Sequence, residues 1–335
     1  MSLLHPLSEQ NWGSEATRPP VMPDNWYMLA RARDLKAGRI LSCALGAHEI
    51  VLTRSKTTLQ ITAFAAHCAH MGCHLRHATA CEGGIRCALH HRKIAADGHF
   101  ITPDGHKSNS LVQPTYPTAE HYGMVFAYLG TGPAPALPLP RLLDGETYTA
   151  RPAGSFETDT DWASLTANGF DMEHLATVHH RRLIEDATVS CPAPDAFRLS
   201  YRSRVTGKRL SDRLIKALSG NEVHATMTSW RGSMMFVESQ LGPRRSFFLL
   251  SLVPRPQGGT TVHCVVGILH RRKTRLDALR LWATARMFRK FLSDDFQILS
   301  GLRWHPPRHI HATPDAYSQR LGHFFANLPQ SEPPQ

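Results

Sequence analysis

Between residues 68 and 91 the chain reads CAHMGCHLRHATACEGGIRCALHH, which places four cysteines and five histidines in 24 positions. Thiolates and imidazoles at that density are a metal's ligands, and a metal dictates the loops that hold it. One subset has ligand spacing: Cys68-x-His70, then 16 residues, then Cys87-x-x-His90. Each short turn offers one thiolate and one imidazole, so strands must bring the two turns together. Two centres fit. A single zinc takes all four ligands, or a two-iron, two-sulfide cluster takes both cysteines on one iron and both histidines on the other. Zinc fingers group their cysteines and their histidines separately, whereas both loops here are mixed, which favours the cluster. His91 is the rival to His90. The seven cysteines (Cys43, Cys68, Cys73, Cys81, Cys87, Cys191 and Cys264) are odd in number and clustered, against a disulfide framework.

With 335 residues, 42% of them apolar and 19% charged, the chain has material for two ordinary domains. No apolar run approaches the roughly 18 residues of a membrane span, and MSLLHPLSEQNW lacks the pattern of a secretory signal. These features predict a cytoplasmic protein. The formal charge of +11, from 38 basic and 27 acidic side chains, suits an acidic protein partner or peripheral contact with an anionic membrane. The basic residues are dispersed and not interleaved with aromatics, against nucleic acid.

Residues 1–24 read as an N-terminal arm. From NWYMLARA onward, short runs such as EIVLTR, LQITAFAAH and GMVFAYLG alternate with turn residues, the pattern of a small β domain over 25–130. Pro133, Pro135, Pro138 and Pro140 mark a linker over 131–145. Antiparallel strands are expected between 200 and 269. A helix is expected over 274–293, with Leu276, Leu279, Ala283, Met287 and Phe291 on its apolar side. Sheet followed by helix predicts an α+β domain over 146–328 and a short tail at 329–335.

A second ligand pattern lies in that domain. NGFDMEHLATVH, residues 168–179, carries Asn168, Asp171, His174 and His179. Two imidazoles and a carboxylate on three corners of an octahedron leave positions open for dioxygen and substrate. In an ideal helix His174 and His179 lie about 140° out of phase, so the helix must break near Thr177–Val178 for both to reach one metal.

The two patterns together resemble the Rieske non-haem iron oxygenases over roughly residues 25–328, nearest to the branch acting on steroids and sterols. That family reads Cys-Pro-His-x-Gly, then Cys-Pro-Tyr/Phe-His-Gly-Trp. Here Cys68-Ala69-His70-Met71-Gly72 and Cys87-Ala88-Leu89-His90-His91-Arg92 keep the four ligands, replace both prolines by alanine and the Gly-Trp by His-Arg. The family's Asn-x-x-Asp-x-x-His-x-x-x-x-His is matched at every defined position. The tail HPPRHIHATPDAYSQRLGHFF resembles the end of the steroid branch.

The resemblance implies an N-terminal all-β Rieske [2Fe–2S] domain followed by an α+β helix-grip catalytic domain with an antiparallel sheet. It implies one [2Fe–2S] cluster on Cys68, His70, Cys87 and His90, and one mononuclear Fe(II) on His174, His179 and Asp295, with Asp294 the alternative. Asp171 becomes an electron bridge to His90 of a neighbouring subunit in a homotrimer. No Gly-x-Gly-x-x-Gly follows a strand, so NAD(P)H acts only through a flavin-dependent reductase, a ferredoxin or both. The implied activity is a monooxygenase that uses O2 to hydroxylate or oxidise a hydrophobic, steroid- or sterol-like polycyclic compound. Met234, Met235, Phe236, Phe247 and Phe248 are expected to line its pocket. The alternatives are an aromatic O- or N-demethylase and, outside enzymes, an electron carrier or zinc-bound interaction module.

Overall fold

The computed structural model describes residues 22–305 and 316–329. Most of the expected arm and tail, and residues 306–315 of the segment resembling the steroid branch, lie outside them. Among the described residues, no helix is long and apolar enough to cross a membrane.

The N-terminal part is all β. A three-stranded sheet pairs Asn25–Arg31 with Met124–Leu129 and that strand with Thr118–His121. A four-stranded sheet holds Ile40–Leu45, His48–Arg54, Ile61–Ala65 and Thr115–Tyr116. A five-stranded sheet runs from Thr79–Cys81 to Lys107–Val112. Every described pairing is antiparallel. The first Cys/His loop leaves the end of Ile61–Ala65. The second joins Gly84–Arg86 to Lys93–Ala95.

The C-terminal part is an eight-stranded antiparallel sheet in the order Thr147–Thr158, Thr260–His270, Arg244–Pro254, Met234–Leu241, Glu222–Trp230, Ala196–Val205, Arg181–Leu183, with Thr188–Ala193 also on Ala196–Val205. Among the described residues five helices accompany it: α1 (Trp162–Phe170), α2 (Met172–Thr177), α3 (Leu210–Ser219), α4 (Asp277–Leu299) and α5 (Ala316–Ala326).

Side chains alternate across a strand, and this decides where the apolar residues of the long strands go. Met234, Phe236, Phe247, Leu249 and Val265 face the N-terminal part and pack with Trp26, Met28, Tyr122, Phe126 and Tyr128 into one core. Met235, Phe248, Leu250, Cys264 and Val266 face the helices. Of the expected pocket residues, only Met235 and Phe248 are therefore on the cavity side. Met234, Phe236 and Phe247 are plain core, because neighbours in a strand cannot share a face.

Polar contacts fix the same seam. Asn25 donates to the carbonyl of Trp230 at 2.8 Å and to Ser233 Oγ at 3.0 Å. The Pro-rich segment runs across it, with Trp26 Nε1 donating to the carbonyl of Pro135 and Tyr122 to that of Pro138.

The face of α4 corrects the sequence expectation. Leu281, Ala285, Phe288, Leu292, Asp295 and Leu299 are buried, whereas Leu276 and Leu279 are 58% and 60% exposed. The helix carries two apolar stripes. The sheet takes the one centred on Phe288, which stacks on Phe248 with ring centroids 3.8 Å apart. Met287 and Phe291 lie at its margin and line the cavity.

Candidate metal centres and substrate cavity

The two Cys/His loops have one shape. Cys68 N–H donates to the carbonyl of Cys73 at 2.9 Å, and Cys87 N–H to that of Arg92 at 3.0 Å. Both cysteines are buried, at 3% and 2% exposure, while His70 and His90 sit at the surface with ring centroids 4.9 Å apart. Two thiols inside and two imidazoles outside form the donor set that a two-iron, two-sulfide cluster needs. Burial works against the thiolate of Cys87, but the N–H groups of Leu89 and His90 and the Cys68 and Cys73 thiols outweigh it and hold this thiol below its ordinary range. Burial raises the thiol of Cys68.

Gln113 holds the first loop and gave no sequence signal. Fully buried, its side chain accepts from Ala69 N–H at 2.8 Å and donates to the carbonyls of Ala65 and His67, both at 2.9 Å. Cys73 is a free thiol directed at the carbonyl of His74, 3.9 Å away. His74 bonds Glu49 at 3.0 Å. His91 is exposed, and its carbonyl accepts from Arg86 at 2.8 Å.

In the C-terminal part, α1 ends and α2 begins at Asp171, whose Oδ1 accepts from the N–H groups of Glu173 and His174 at 2.8 and 2.9 Å. This is an N-cap. Helix α2 stops at Thr177, and His180 takes a left-handed φ of 53°. That break swings His179 back toward His174. Nε2 of the two rings are 3.2 Å apart, and Asp295 Oδ1 on α4 lies 3.0 Å from His174 Nε2 and 2.7 Å from His179 Nε2. Two donors about 2.1 Å from one ion and at right angles are about 3.0 Å from each other, so the three atoms have the spacing of one octahedral face. Burial opposes the charge on Asp295, but hydrogen bonds from both imidazoles and their charge outweigh it and keep the carboxyl below its ordinary value. Phe291 stacks on the His179 ring at 3.7 Å.

Asp294, one residue earlier, faces outward to Lys290 at 2.5 Å and Arg209 at 3.4 Å. Asn168 lines the cavity beside Asp295. Asp171 makes no hydrogen bond to an imidazole among the described residues.

The cavity that Asp295 opens into holds about 200 Å³ and is mostly apolar, with Leu165, Met227, Met235, Phe248 and Phe288 in its walls. A separate open groove of about 970 Å³ lies along the seam. Arg31, Arg33, Arg151, Arg286, Arg289 and Lys290 line it.

Residues 25–117 match the model of the Rieske [2Fe-2S] domain. Over 167 residues the chain is 28% identical to aminopyrrolnitrin oxygenase PrnD of Pseudomonas fluorescens, covering 46% of this chain and 45% of that protein. It is 26% identical over 178 residues to cholesterol 7-desaturase of Bombyx mori, covering 50% of this chain and 38% of that one. The chain spans less than half the length of the curated relatives it matches. The solved structure of Pseudomonas putida CBB5 NdmA with caffeine shares the fold at a TM-score of 0.68 and 14% identity, over 90% of this chain and 89% of that one.

Proposed function

We propose that the chain is a terminal oxygenase component of the Rieske type, with a Rieske domain over 25–130, a linker over 131–145 and a catalytic domain over 146–328; the match of residues 25–117 to the Rieske [2Fe-2S] domain and the likeness to oxygenases support it. The observation that carries this reading is the convergence of His174, His179 and Asp295, the last of them in the wall of an apolar cavity, in a chain with a separate [2Fe-2S] domain. Cys68, His70, Cys87 and His90 would hold the cluster, and His174, His179 and Asp295 the iron. Bound there, cluster and iron supply electron transfer and dioxygen chemistry. The chain's own residues do the rest. Asp171 fixes the start of α2 and thereby the His174 ring. Phe291 holds the His179 ring by stacking. Leu165, Met235 and Phe248 exclude water.

Electrons come from a reductase or ferredoxin, and the basic groove suits an acidic donor. Met71 and Leu89, which flank the outer histidines, are 67% and 53% exposed. Large apolar side chains in that position fit burial against a second copy of the chain. This supports a homotrimer in which Asp171, through Oδ2, faces His90 of the partner subunit.

A cavity of about 150 Å³ takes a benzene, so the 200 Å³ here suits a compact ring compound better than a tetracyclic one. The caffeine-bound structural neighbour agrees with that size, and demethylation or hydroxylation of such a ring is the preferred activity. The relationship to cholesterol 7-desaturase favours a second reading, a sterol that enters through the open side.

The test is an aerobic assay with a flavin reductase, a ferredoxin and NADH against compact aromatic and sterol panels. Products heavier by one oxygen atom, or lacking one methyl group, are expected from the compact panel. Colourless, zinc-bearing protein without oxygen uptake would instead establish the non-enzyme alternative.

A further inference from the structure

We propose that Ser203 and Tyr201 form a polar end to the cavity and select ring compounds that carry one neutral hydroxyl or carbonyl group. The inference deepens the reading of the cavity as a substrate site and rests on it.

Leu199, Tyr201 and Ser203 alternate along the strand Ala196–Val205 and so share one face. Both Tyr201 and Ser203 line the cavity. Ser203 is 0% exposed, and its hydroxyl has no hydrogen-bond partner among the described residues. Buried hydroxyls are nearly always paired, because leaving one unpaired is destabilising. Its partner must therefore come from whatever fills the cavity. Ser239 and Ser246 also line the cavity, but neither bonds the Ser203 hydroxyl, and the residues directly across the sheet from it, Val223 and then Leu241, are apolar. Burial pushes the Tyr201 phenol up to about 12, so it remains a protonated donor at neutral pH.

The charge balance decides the type of group. Arg181 is the one cationic residue among those lining the cavity, and Asp212 already pairs with it at 3.2 Å, both side chains being buried. The carboxylate of Asp295 is committed to the two histidines. A ligand carboxylate would enter without a cation to compensate it, which costs far more than placing a neutral group beside two hydroxyls. The volume admits about one substituted ring, so a phenol, an aryl ketone or a cyclic amide fits.

The experiment is anaerobic titration calorimetry of the cluster- and iron-loaded protein with toluene, p-cresol and p-toluate. Wild type is expected to bind p-cresol about tenfold more tightly than toluene, and p-toluate more weakly than either. Ser203→Ala should reduce the p-cresol preference to about twofold or less while leaving toluene affinity unchanged or raised. Tyr201→Phe should reduce it in part. If Ser203→Ala does not fold, as judged by the cluster spectrum, Ser203→Cys is read the same way, being nearly isosteric with a weaker donor. Equal affinity of wild type for toluene and p-cresol overturns the proposal, as does an equal loss of both in the serine variants. So does a failure of every probe to bind. No oxygen or reductant is present. A catalytically inert protein that retains the preference therefore removes the oxygenase reading alone, and an active enzyme without it removes this inference alone.

Discussion

Gly72 and His91 hold the same place in two loops of the same shape. Each lies four positions after a loop cysteine, with left-handed φ of 72° and 53°. Each also directly precedes the carbonyl that accepts that cysteine's N–H. A left-handed φ is unstrained for glycine and costly for a residue with a Cβ. The first loop meets the requirement with glycine and the second with histidine. The Rieske oxygenase pattern has glycine at both places, so the sequence departure at His91 coincides with a backbone position under strain.

Replacing His91 by glycine should therefore stabilise the protein by about 0.5–1 kcal/mol, since the bond from Arg86 goes to a carbonyl that remains. The reciprocal change, Gly72→Ala, should cost about 1 kcal/mol. Nothing lies within 4 Å of the added Cβ, so that loss is conformational alone. Chemical unfolding of the cluster-loaded protein measures both. A destabilised His91→Gly variant would show that the imidazole itself is needed.

Gln113 gives a sharper effect on the cluster loop. Gln113→Leu removes the partner of the Ala69 N–H and of the Ala65 and His67 carbonyls, three part-buried bonds whose loss should cost about 3 kcal/mol in all. The loop preceding His70 should loosen, and a chelator should bleach the cluster's visible absorbance faster than in wild type. Unchanged bleaching would mean that backbone bonds alone hold the loop.

These residues show what could be read from the chain and what could not. The four cluster candidates lie in two short local motifs, and the His174–His179 spacing forces a helix end that the structure places at Thr177. Such features depend on neighbours in sequence. Gln113 acts on a residue 44 positions away, and a glutamine in the short link between the strands Lys107–Val112 and Thr115–Tyr116 carries no local mark. The face of α4 could not be chosen from periodicity, because both stripes satisfy it and only the sheet discriminates. Asp295 sits on the stripe that the sheet takes, with Phe288 and Leu292. Strand alternation, applied to Met234–Phe236 and Phe247–Phe248, would have divided those residues correctly between core and cavity. Ser203 becomes notable only when its missing partner is visible.

His263 should make stability depend on pH. Burial, aided by the charge of Arg31, pushes its imidazole down to about 4, so it is neutral in the folded protein at neutral pH. The unfolded chain takes up this proton near pH 6.5. Stability is then fully present above pH 6.5, falls as the pH drops, and stops changing once the folded form is also protonated near 4. The loss is on the order of 2–3 kcal/mol. His263→Gln should flatten that part of the stability curve relative to wild type. Parallel curves for the two proteins between pH 7 and 4 would rule this residue out as the source.

Asp294 and Asp295 separate the metal reading from a simple charge effect. Adjacent helical residues point about 100° apart, so one helix cannot aim both at the same ion. Asp295 is 6% exposed and lies against both imidazoles, whereas Asp294 pairs with Lys290 and Arg209. Asp295→Asn removes the anionic member of the proposed ligand set. It should reduce affinity for the mononuclear metal by more than the 10–100-fold that follows loss of an outer partner. The cluster spectrum should remain, because its candidate ligands belong to the other domain. Asp294→Asn breaks exposed ion pairs and should cost about 0.5 kcal/mol or less, with metal content unchanged. Iron analysis beside the visible spectrum of each purified variant reads both quantities. Equal iron in the two variants would remove Asp295 from the ligand set, whereas iron lost only from Asp295→Asn, with the cluster intact, assigns the third protein ligand.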